Sequence, residues 1–299
     1  MGLTESRSRY QSPVAKLMAS KRWQSLNSAS QPVKGGALTK MELILKHGLP
    51  PMHVISAKTL KALGRFPANK EGHSEDGRKV LSSGARAVIM LLSHRWLRPK
   101  EGHPDDKKGT KLNALLEFCA WYNLKYPSRE IYFWIDYSCI AWDNRDQGIA
   151  ALPAYVCSCT DLLCFETQDY RERAWCRLER AVAYAFMFSG VHPWVIRPGF
   201  KLDEKSPQTI QYEKVTLEDP LAGQLTVEGD MLHIRSLLDV ASQSRASEAW
   251  GMSRRLCYEA EHHTHITAAV LSWTLVYLAA VRTIVSHENF PWSQWHAWL

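Results

Sequence analysis

Between residues 86 and 199 the hydrophobic positions switch repeatedly between two patterns. Short, continuous apolar runs are typical of strands buried on both faces, and they occur at 86–93, 130–136, 161–167 and 192–199. Segments with hydrophobic residues at helical spacing follow the first three runs, at 110–126, 149–159 and 173–188. This alternation with short connections predicts an α/β fold, in which a doubly wound parallel sheet carries helices on both faces.

The flanks of this region carry weaker patterns. Residues 1–37 are rich in Ser, Lys, Arg and Gln and have little periodicity, which predicts a flexible basic arm. Residues 38–80 hold one amphipathic helix, a Pro-Pro break, a second short helix and a polar linker. The α/β domain is expected over 81–200. Residues 201–299 are expected to form a mostly helical extension, with one helix-like stretch at 231–242.

Two segments leave the relation of the chain to membranes open. Residues 266–281 are apolar but number fewer than the roughly 20 of a spanning helix, so a core helix and a membrane segment are both compatible with them. At the N-terminus, Gly2 and Ser6 fit the pattern for N-myristoylation, although a disordered tail or a transit peptide fits as well. The expected location is the cytoplasm, with membrane contact through either segment left open.

The net charge of +7 is concentrated at one end of the chain. Residues 1–40 contain seven Lys and Arg side chains and one acid, whereas the remaining residues contain 30 basic and 29 acidic side chains. The globular part is therefore electrically balanced and lacks the basic face that nucleic-acid binding requires.

The seven cysteines also argue against two classes of protein. Their number is odd, most lie within apolar runs, and no Cys-x-x-Cys pair occurs, which favours reduced, buried thiols over a disulfide framework or a zinc ribbon. His262, His263 and His265 are close together, but a polar segment of this kind indicates a solvated helix start rather than a metal site. No metal is predicted.

Polar and aromatic side chains follow the ends of three predicted strands. They are Ser93, His94, Arg95 and Trp96 after the first, Asp136 after the second, and Trp175 and Glu179 after the third. Ligands of parallel α/β sheets bind beyond the carboxyl ends of the strands, so these residues predict a cleft. Glu179 lies on an otherwise apolar helix, where a buried carboxylate is costly unless it is paired or used.

Each of these residues also has a purely structural interpretation. Ser93 and His94 could cap a turn, Arg95 could pair with Asp136 or Asp105, and tryptophans commonly pack in cores. Glu179 could form an ion pair with Arg173, Arg177 or Arg180. A Ser-His-Asp hydrolase is excluded, because adjacent side chains on a strand point in opposite directions. The lack of a Gly-rich phosphate loop argues against a hydride-transferring dinucleotide enzyme.

Three motifs in strand–helix order resemble those of a known family. "VIMLLSHRW", Asp136 at the end of the second strand, and "DYRERAWCRLE" are similar to the three boxes of the TIR (Toll/interleukin-1 receptor) domain. Ser93–Trp96 and "WIDYSCIAWD" also resemble the fungal heterokaryon-incompatibility (HET) domain, a distant TIR relative. The resemblance covers about residues 85–200 and implies a flavodoxin-like sheet.

The resemblance further implies a function in defence or cell-death signalling. In NAD-cleaving TIR domains the Glu of the WCxxE motif is catalytic, and Glu179 holds that position here. NAD+ is then the substrate, no permanently bound cofactor is expected, and the domain self-associates. Ser93, His94 and Arg95 would meet the diphosphate, Trp96 or Trp175 would stack on a ring, and Asp136 would complete the ligand site.

The chain also departs from both families. Ala141, Trp142 and Asp143 follow "CI" where HET domains have Gln, and the loop "LRPKEGHPDDKKG" has no simple TIR counterpart. Many TIR domains are non-catalytic self-association modules, so that alternative stays open, as does a nucleotide receptor that binds without cleaving.

Overall fold

A computed structural model describes residues 12–28, 36–83, 86–186, 193–201 and 218–245, all within one compact unit, Met1–Glu248. In this part of the chain the strands form a six-stranded sheet in the order β2-β1-β4-β3-β5-β6. The strands are β1 (His53–Ser56), β2 (Glu75–Asp76), β3 (Ala87–His94), β4 (Glu130–Trp134), β5 (Asp161–Phe165) and β6 (Trp194–Ile196).

Helices connect and flank these strands. They are α1 (Pro13–Ala19), α2 (Lys21–Ser28), α3 (Gly36–Lys46), α4 (Ala57–Leu63), α5 (Gly77–Ser82), α6 (Thr110–Lys125), α7 (Asp136–Cys139), α8 (Arg145–Ala150), α9 (Leu152–Ser158), α10 (Ala174–Phe186) and α11 (Asp230–Arg245). Short 3-10 turns lie at Asn69–Glu71, Pro99–Glu101, Trp142–Asn144, Tyr170–Glu172 and Pro220–Ala222. The α/β class is therefore confirmed, and the helix-like stretch at 231–242 lies within α11.

The sheet is mixed rather than wholly parallel. Strands β3, β4, β5 and β6 are parallel to one another, but β1 is antiparallel to β4 and β2 is antiparallel to β1. Helices α3 and α4 form on either side of the Pro-Pro break, as predicted for 38–80, but the strand β1 at 53–56 was not predicted. Its four residues are too few to show alternation, and they continue directly into α4, whose N-terminus is capped by the Ser56 side chain.

Helices cover both faces of the parallel strands. Ser93 and His94 are consecutive on β3, and their side chains contact α10 and α6 respectively, so these two helices lie on opposite faces. Helix α4 packs beside α6, whereas α9 and α11 pack against α10. This arrangement places the carboxyl ends of β3, β4 and β5 between two helical layers.

Residues 12–28 belong to the fold, in contrast to the predicted flexible arm. Helix α1 packs against α9 and α11, and its Val14, Leu17 and Met18 are almost wholly buried, as is Trp23 of α2. Ser12 accepts a hydrogen bond from the Ala15 amide and Pro13 occupies the first turn, which is a typical helix start. The high content of Lys, Arg and Ser obscures this short apolar stripe in the sequence.

Several predictions concern other parts of the chain. The possible myristoylation at Gly2, the apolar segment 266–281 and the three histidines His262, His263 and His265 lie outside the described residues. Within the described ranges, no helix combines the length and apolar character needed to cross a membrane. The described cysteines are free and buried, which agrees with the prediction of reduced thiols.

Candidate functional site

A cleft of about 420 Å³ opens at the carboxyl ends of β3 and β4. Six of the seven residues predicted to form a site line this cleft, namely His94, Arg95, Trp96, Asp136, Trp175 and Glu179. The seventh, Ser93, is fully buried beneath the cleft wall. The fold thus brings together residues from three segments that are distant in the sequence.

Among the described residues, Glu179 on α10 has one hydrogen-bond partner, and that partner is neutral. The Ser93 hydroxyl donates to Glu179 Oε2 over 2.7 Å. Since a serine hydroxyl has one proton, the Tyr170 hydroxyl donates to Ser93 Oγ, also over 2.7 Å. Burial raises the pKa of Glu179 to about 8, and the charge of Asp136 adds to this effect, while the Ser93 hydrogen bond opposes it.

The structural interpretation of Glu179 as half of an ion pair finds no support among the described residues. Arg180 pairs with Glu218, and Arg177 donates to the backbone carbonyls of Arg171 and Asp219. Arg173 donates to the hydroxyl of Thr226. The carboxyl group of Glu179, whose residue is 9% exposed, therefore faces the cleft and forms no ion pair within the described ranges.

His94 takes part in a different network, which contains a buried lysine. The Lys111 ammonium donates to His94 Nδ1 over 2.6 Å, to the Arg95 carbonyl over 2.7 Å and to the Pro104 carbonyl. Because an ammonium group only donates, His94 Nδ1 accepts, and its proton lies on Nε2 and points to Asp136 Oδ1, 3.2 Å away. Burial and the Lys111 charge lower the pKa of His94, so the ring is neutral.

Lys111 has no exposed surface, and burial lowers its pKa to about 7, against the opposing effect of Asp105 and Asp136. The loop between β3 and α6 holds it in place. The Asp105 carboxylate accepts hydrogen bonds from the amides of Lys111 and Leu112 over 2.9 and 3.0 Å, which caps α6. The loop that has no TIR counterpart therefore positions the lysine.

Asp136 is the ionised acid of the cleft. Its side chain is 35% exposed and accepts hydrogen bonds from His94, from Trp96 Nε1 over 2.8 Å and from the Tyr137 amide over 2.6 Å. Burial alone would raise the pKa of Asp136, but the hydrogen bonds that it accepts outweigh the effect of burial and lower the pKa below its usual range. Asp136 and Glu179 are thus two acids of the cleft in unlike states.

Two arginines of the cleft are paired with carboxylates. Arg95 forms an ion pair with Asp169, not with Asp136 or Asp105 as considered from the sequence. Arg145 Nη2 lies 3.1 Å from Asp230 Oδ1, and Trp175 Nε1 donates to Asp230 Oδ2 over 2.8 Å. Asp230, at the start of α11, therefore orients one predicted site residue, Trp175.

The segment before α11 forms one wall of the cleft. The Ala174 amide donates to the Gln224 carbonyl over 3.0 Å, and the Gln224 amide donates to the Glu172 carbonyl over 2.6 Å. Gly223 packs so closely here that a Cβ atom would lie 2.5 Å from Ala174 Cα. Only glycine fits this contact, which fixes the start of α10 and hence the residues on either side of it.

The sequence did not single out several residues of the site, including Lys111, Tyr170, Trp142, Arg145 and Asp230. A signal was present for Lys111, because it lies on the same helical stripe as Leu115, Phe118 and Tyr122, all of which are buried. A lysine on a buried stripe indicates a buried cation. No comparable signal marked Asp230, since the chain between β6 and α11 has no clear periodicity.

Aromatic rings complete the cleft. Trp96 meets Trp142 edge-on, with 5.9 Å between ring centroids, and meets Tyr137 at 5.6 Å. Among the described residues, no group of His, Cys, Asp and Glu could hold a metal ion. The arrangement suits a flat or cationic organic group beside an acid that changes its protonation state near neutral pH. Comparisons with models of known families, with curated proteins and with solved structures give no match.

Proposed function

We propose that the protein is a TIR-like NAD+ nucleosidase, in which Glu179 acts on the bond between nicotinamide and ribose. The reaction consumes water and releases nicotinamide, ADP-ribose and a proton. The position of Glu179 carries this proposal: its carboxyl group faces an aromatic cleft, has a raised pKa and forms no ion pair with any described residue.

Cleavage of the bond between nicotinamide and ribose needs little more than a carboxyl group in such a cleft. Nicotinamide leaves without being protonated, so the main task is to stabilise a ribose with oxocarbenium character. A carboxylate near the ribose does this, and the positive nicotinamide ring of NAD+ would itself favour the ionised form of Glu179 when bound beside it. Asp136, which is already ionised, adds negative potential to the same cleft.

The strand order supports the TIR-like part of the proposal. The parallel strands lie in the order β4-β3-β5-β6, which is the order 2-1-3-4 when they are counted along the chain. Flavodoxin-like sheets have this order and bind ligands where it reverses, beside their first strand. Here β3 is that strand, and His94 at its end lines the cleft. The resemblance also supports self-association and a cytoplasmic signalling role.

Nicotinamide release by the full-length protein tests the proposal. We expect Glu179→Gln, which keeps the size and hydrogen-bonding capacity of the side chain, to lower the rate by about 100-fold or more. The matched control is Glu228→Gln, because Glu228 is exposed and lies next to Val227 of the cleft wall without lining the cleft itself. Chromatography of nicotinamide and ADP-ribose measures the rate.

Two results would contradict the proposal. If Glu179→Gln releases nicotinamide as fast as the wild-type chain, Glu179 is not catalytic. If the concentrated wild-type protein binds ADP-ribose but releases no nicotinamide from NAD+, the cleft belongs to a binding module, as in the non-catalytic alternative.

A further inference from the structure

Arg173 is a cation of the cleft that the mechanism does not use. Three arginines line the cleft, Arg95, Arg145 and Arg173. The first two form ion pairs with Asp169 and Asp230. Within the described part of the chain, no carboxylate pairs with Arg173, whose guanidinium donates to the neutral hydroxyl of Thr226.

The charge of Arg173 affects the pKa of Arg95. Burial lowers the pKa of Arg95, and repulsion by Arg173 lowers it further. Two guanidinium groups that line one cleft and repel each other are stabilised when an anion binds to both. Because Glu179 has a raised pKa, it does not supply that negative charge in the unliganded protein.

Arg173 is also held in a fixed place. It forms an isolated parallel bridge with Gln224, and the neighbouring amide of Ala174 donates to the Gln224 carbonyl. Arg173 and Glu179 both line the cleft, so an anion bound at Arg173 would share the cleft with the carboxyl group. A guanidinium held on a rigid backbone is well suited to bind phosphate oxygens.

We propose that Arg173, together with Arg95, forms an anion site that binds the diphosphate of a nucleotide ligand. The proposal deepens the proposed function and rests on the same cleft, but it requires no cleavage. It also changes the expectation for the diphosphate contacts. Ser93 is fully buried, and His94 is engaged by Lys111 and Asp136. Arg95 is paired with Asp169, but its guanidinium lines the cleft and has five N–H donors, so it can also donate to an anion.

Calorimetric titration of the full-length protein with ADP-ribose and with adenosine tests the anion site. Arg173→Gln should weaken ADP-ribose binding about tenfold, because a charge-assisted contact to phosphate is lost, and should leave adenosine binding unchanged. Arg173→Lys should recover part of the lost affinity, since it restores the charge. Arg235→Gln is the matched control, because Arg235 is exposed on α11 and does not line the cleft.

Two outcomes would overturn the anion site. The first is wild-type affinity of Arg173→Gln for ADP-ribose. The second is an equal loss of adenosine and ADP-ribose binding with an unchanged thermal unfolding curve, which would assign Arg173 to the shape of the cleft. The test is independent of catalysis: if no nicotinamide is released but Arg173→Gln selectively loses ADP-ribose, the anion site stands and the proposed function fails.

Discussion

Ser93 and His94 are neighbours on β3, yet they lead into two buried networks of opposite character. On the α10 side, Ser93 joins the hydroxyl of Tyr170 to the carboxyl of Glu179. On the α6 side, His94 joins the ammonium of Lys111 to the carboxylate of Asp136. The first network contains one ionisable acid and no cation, whereas the second contains one group of each sign.

The difference between the two acids follows from their partners. Neutral hydroxyls offset only part of the desolvation of Glu179, so the pKa of that acid rises to about 8. Asp136 receives hydrogen bonds from His94 and Trp96 and is partly open to solvent, so its pKa falls. A one-residue step along a strand is enough to move from one environment to the other.

The largest expected effect is a dependence of stability on pH with opposite contributions from the two networks. The pKa of Glu179 is about 8 in the folded state and 4.5, the ordinary value, in the unfolded state. Between pH 4.5 and 8 the folded state therefore binds more protons than the unfolded state, and raising the pH favours unfolding. The pKa of Lys111 is about 7 in the folded state and 10.5, the ordinary value, in the unfolded state. Between pH 7 and 10.5 the unfolded state binds more protons, so raising the pH favours folding. Each slope reaches at most about 1.4 kcal/mol per pH unit.

Urea denaturation at a series of pH values measures these slopes. The difference between the wild-type chain and Glu179→Gln isolates the part of the pH dependence that comes from Glu179. The amide does not titrate, and the groups common to both proteins contribute to both curves. Parallel curves for the two proteins between pH 5 and 8 would show that Glu179 ionises as an ordinary acid.

The second expected effect is the cost of removing the buried cation. Lys111→Met leaves His94 Nδ1 and the carbonyls of Arg95 and Pro104 without their donor and removes the cation nearest Asp136 in that network. We expect a loss of about 3 kcal/mol in the free energy of unfolding, measured in urea at pH 6. Lys107→Met, in the exposed part of the same loop, is the control and should have little effect.

The smallest expected effect concerns the neutral network. Ser93→Ala removes the hydrogen bond to Glu179 and should lower the free energy of unfolding by about 1 kcal/mol, because only neutral donors are lost. It should also raise the pKa of Glu179 further, since the Ser93 hydrogen bond favours the ionised form. Ser158→Ala, at another fully buried serine that donates to a helix carbonyl, is the control. A loss as large as that of Lys111→Met would remove the distinction between the networks.

The sequence predicted the central part of the fold because its signals there are local. Strands β3, β4 and β5 are continuous apolar runs, and α6 and α10 have clear helical spacing, so each element could be identified from its own residues. Strand β1 could not be identified in this way, because four residues show no period and their strand conformation depends on pairing with β4.

For the site, the sequence placed residues at one edge of the sheet but could not show which side chains pair. Arg95 had two predicted partners, Asp136 and Asp105, and its actual pairing with Asp169 depends on the path of the chain after β5. Asp230 comes from a segment more than 30 residues beyond β6, and its contact with Trp175 is a product of tertiary packing. Such long-range contacts leave no periodic trace in the sequence.

The pairing of β1 with β4 has a practical consequence for anyone preparing pieces of this protein. A recombinant fragment limited to residues 81–200 would leave the β4 edge bare, and bare edges pair readily with other molecules and precipitate. The same fragment would lack the Gln224 carbonyl that holds the start of α10 and the Asp230 carboxylate that holds Trp175. Loss of activity after trimming would therefore reflect a dismantled pocket and say nothing about Glu179.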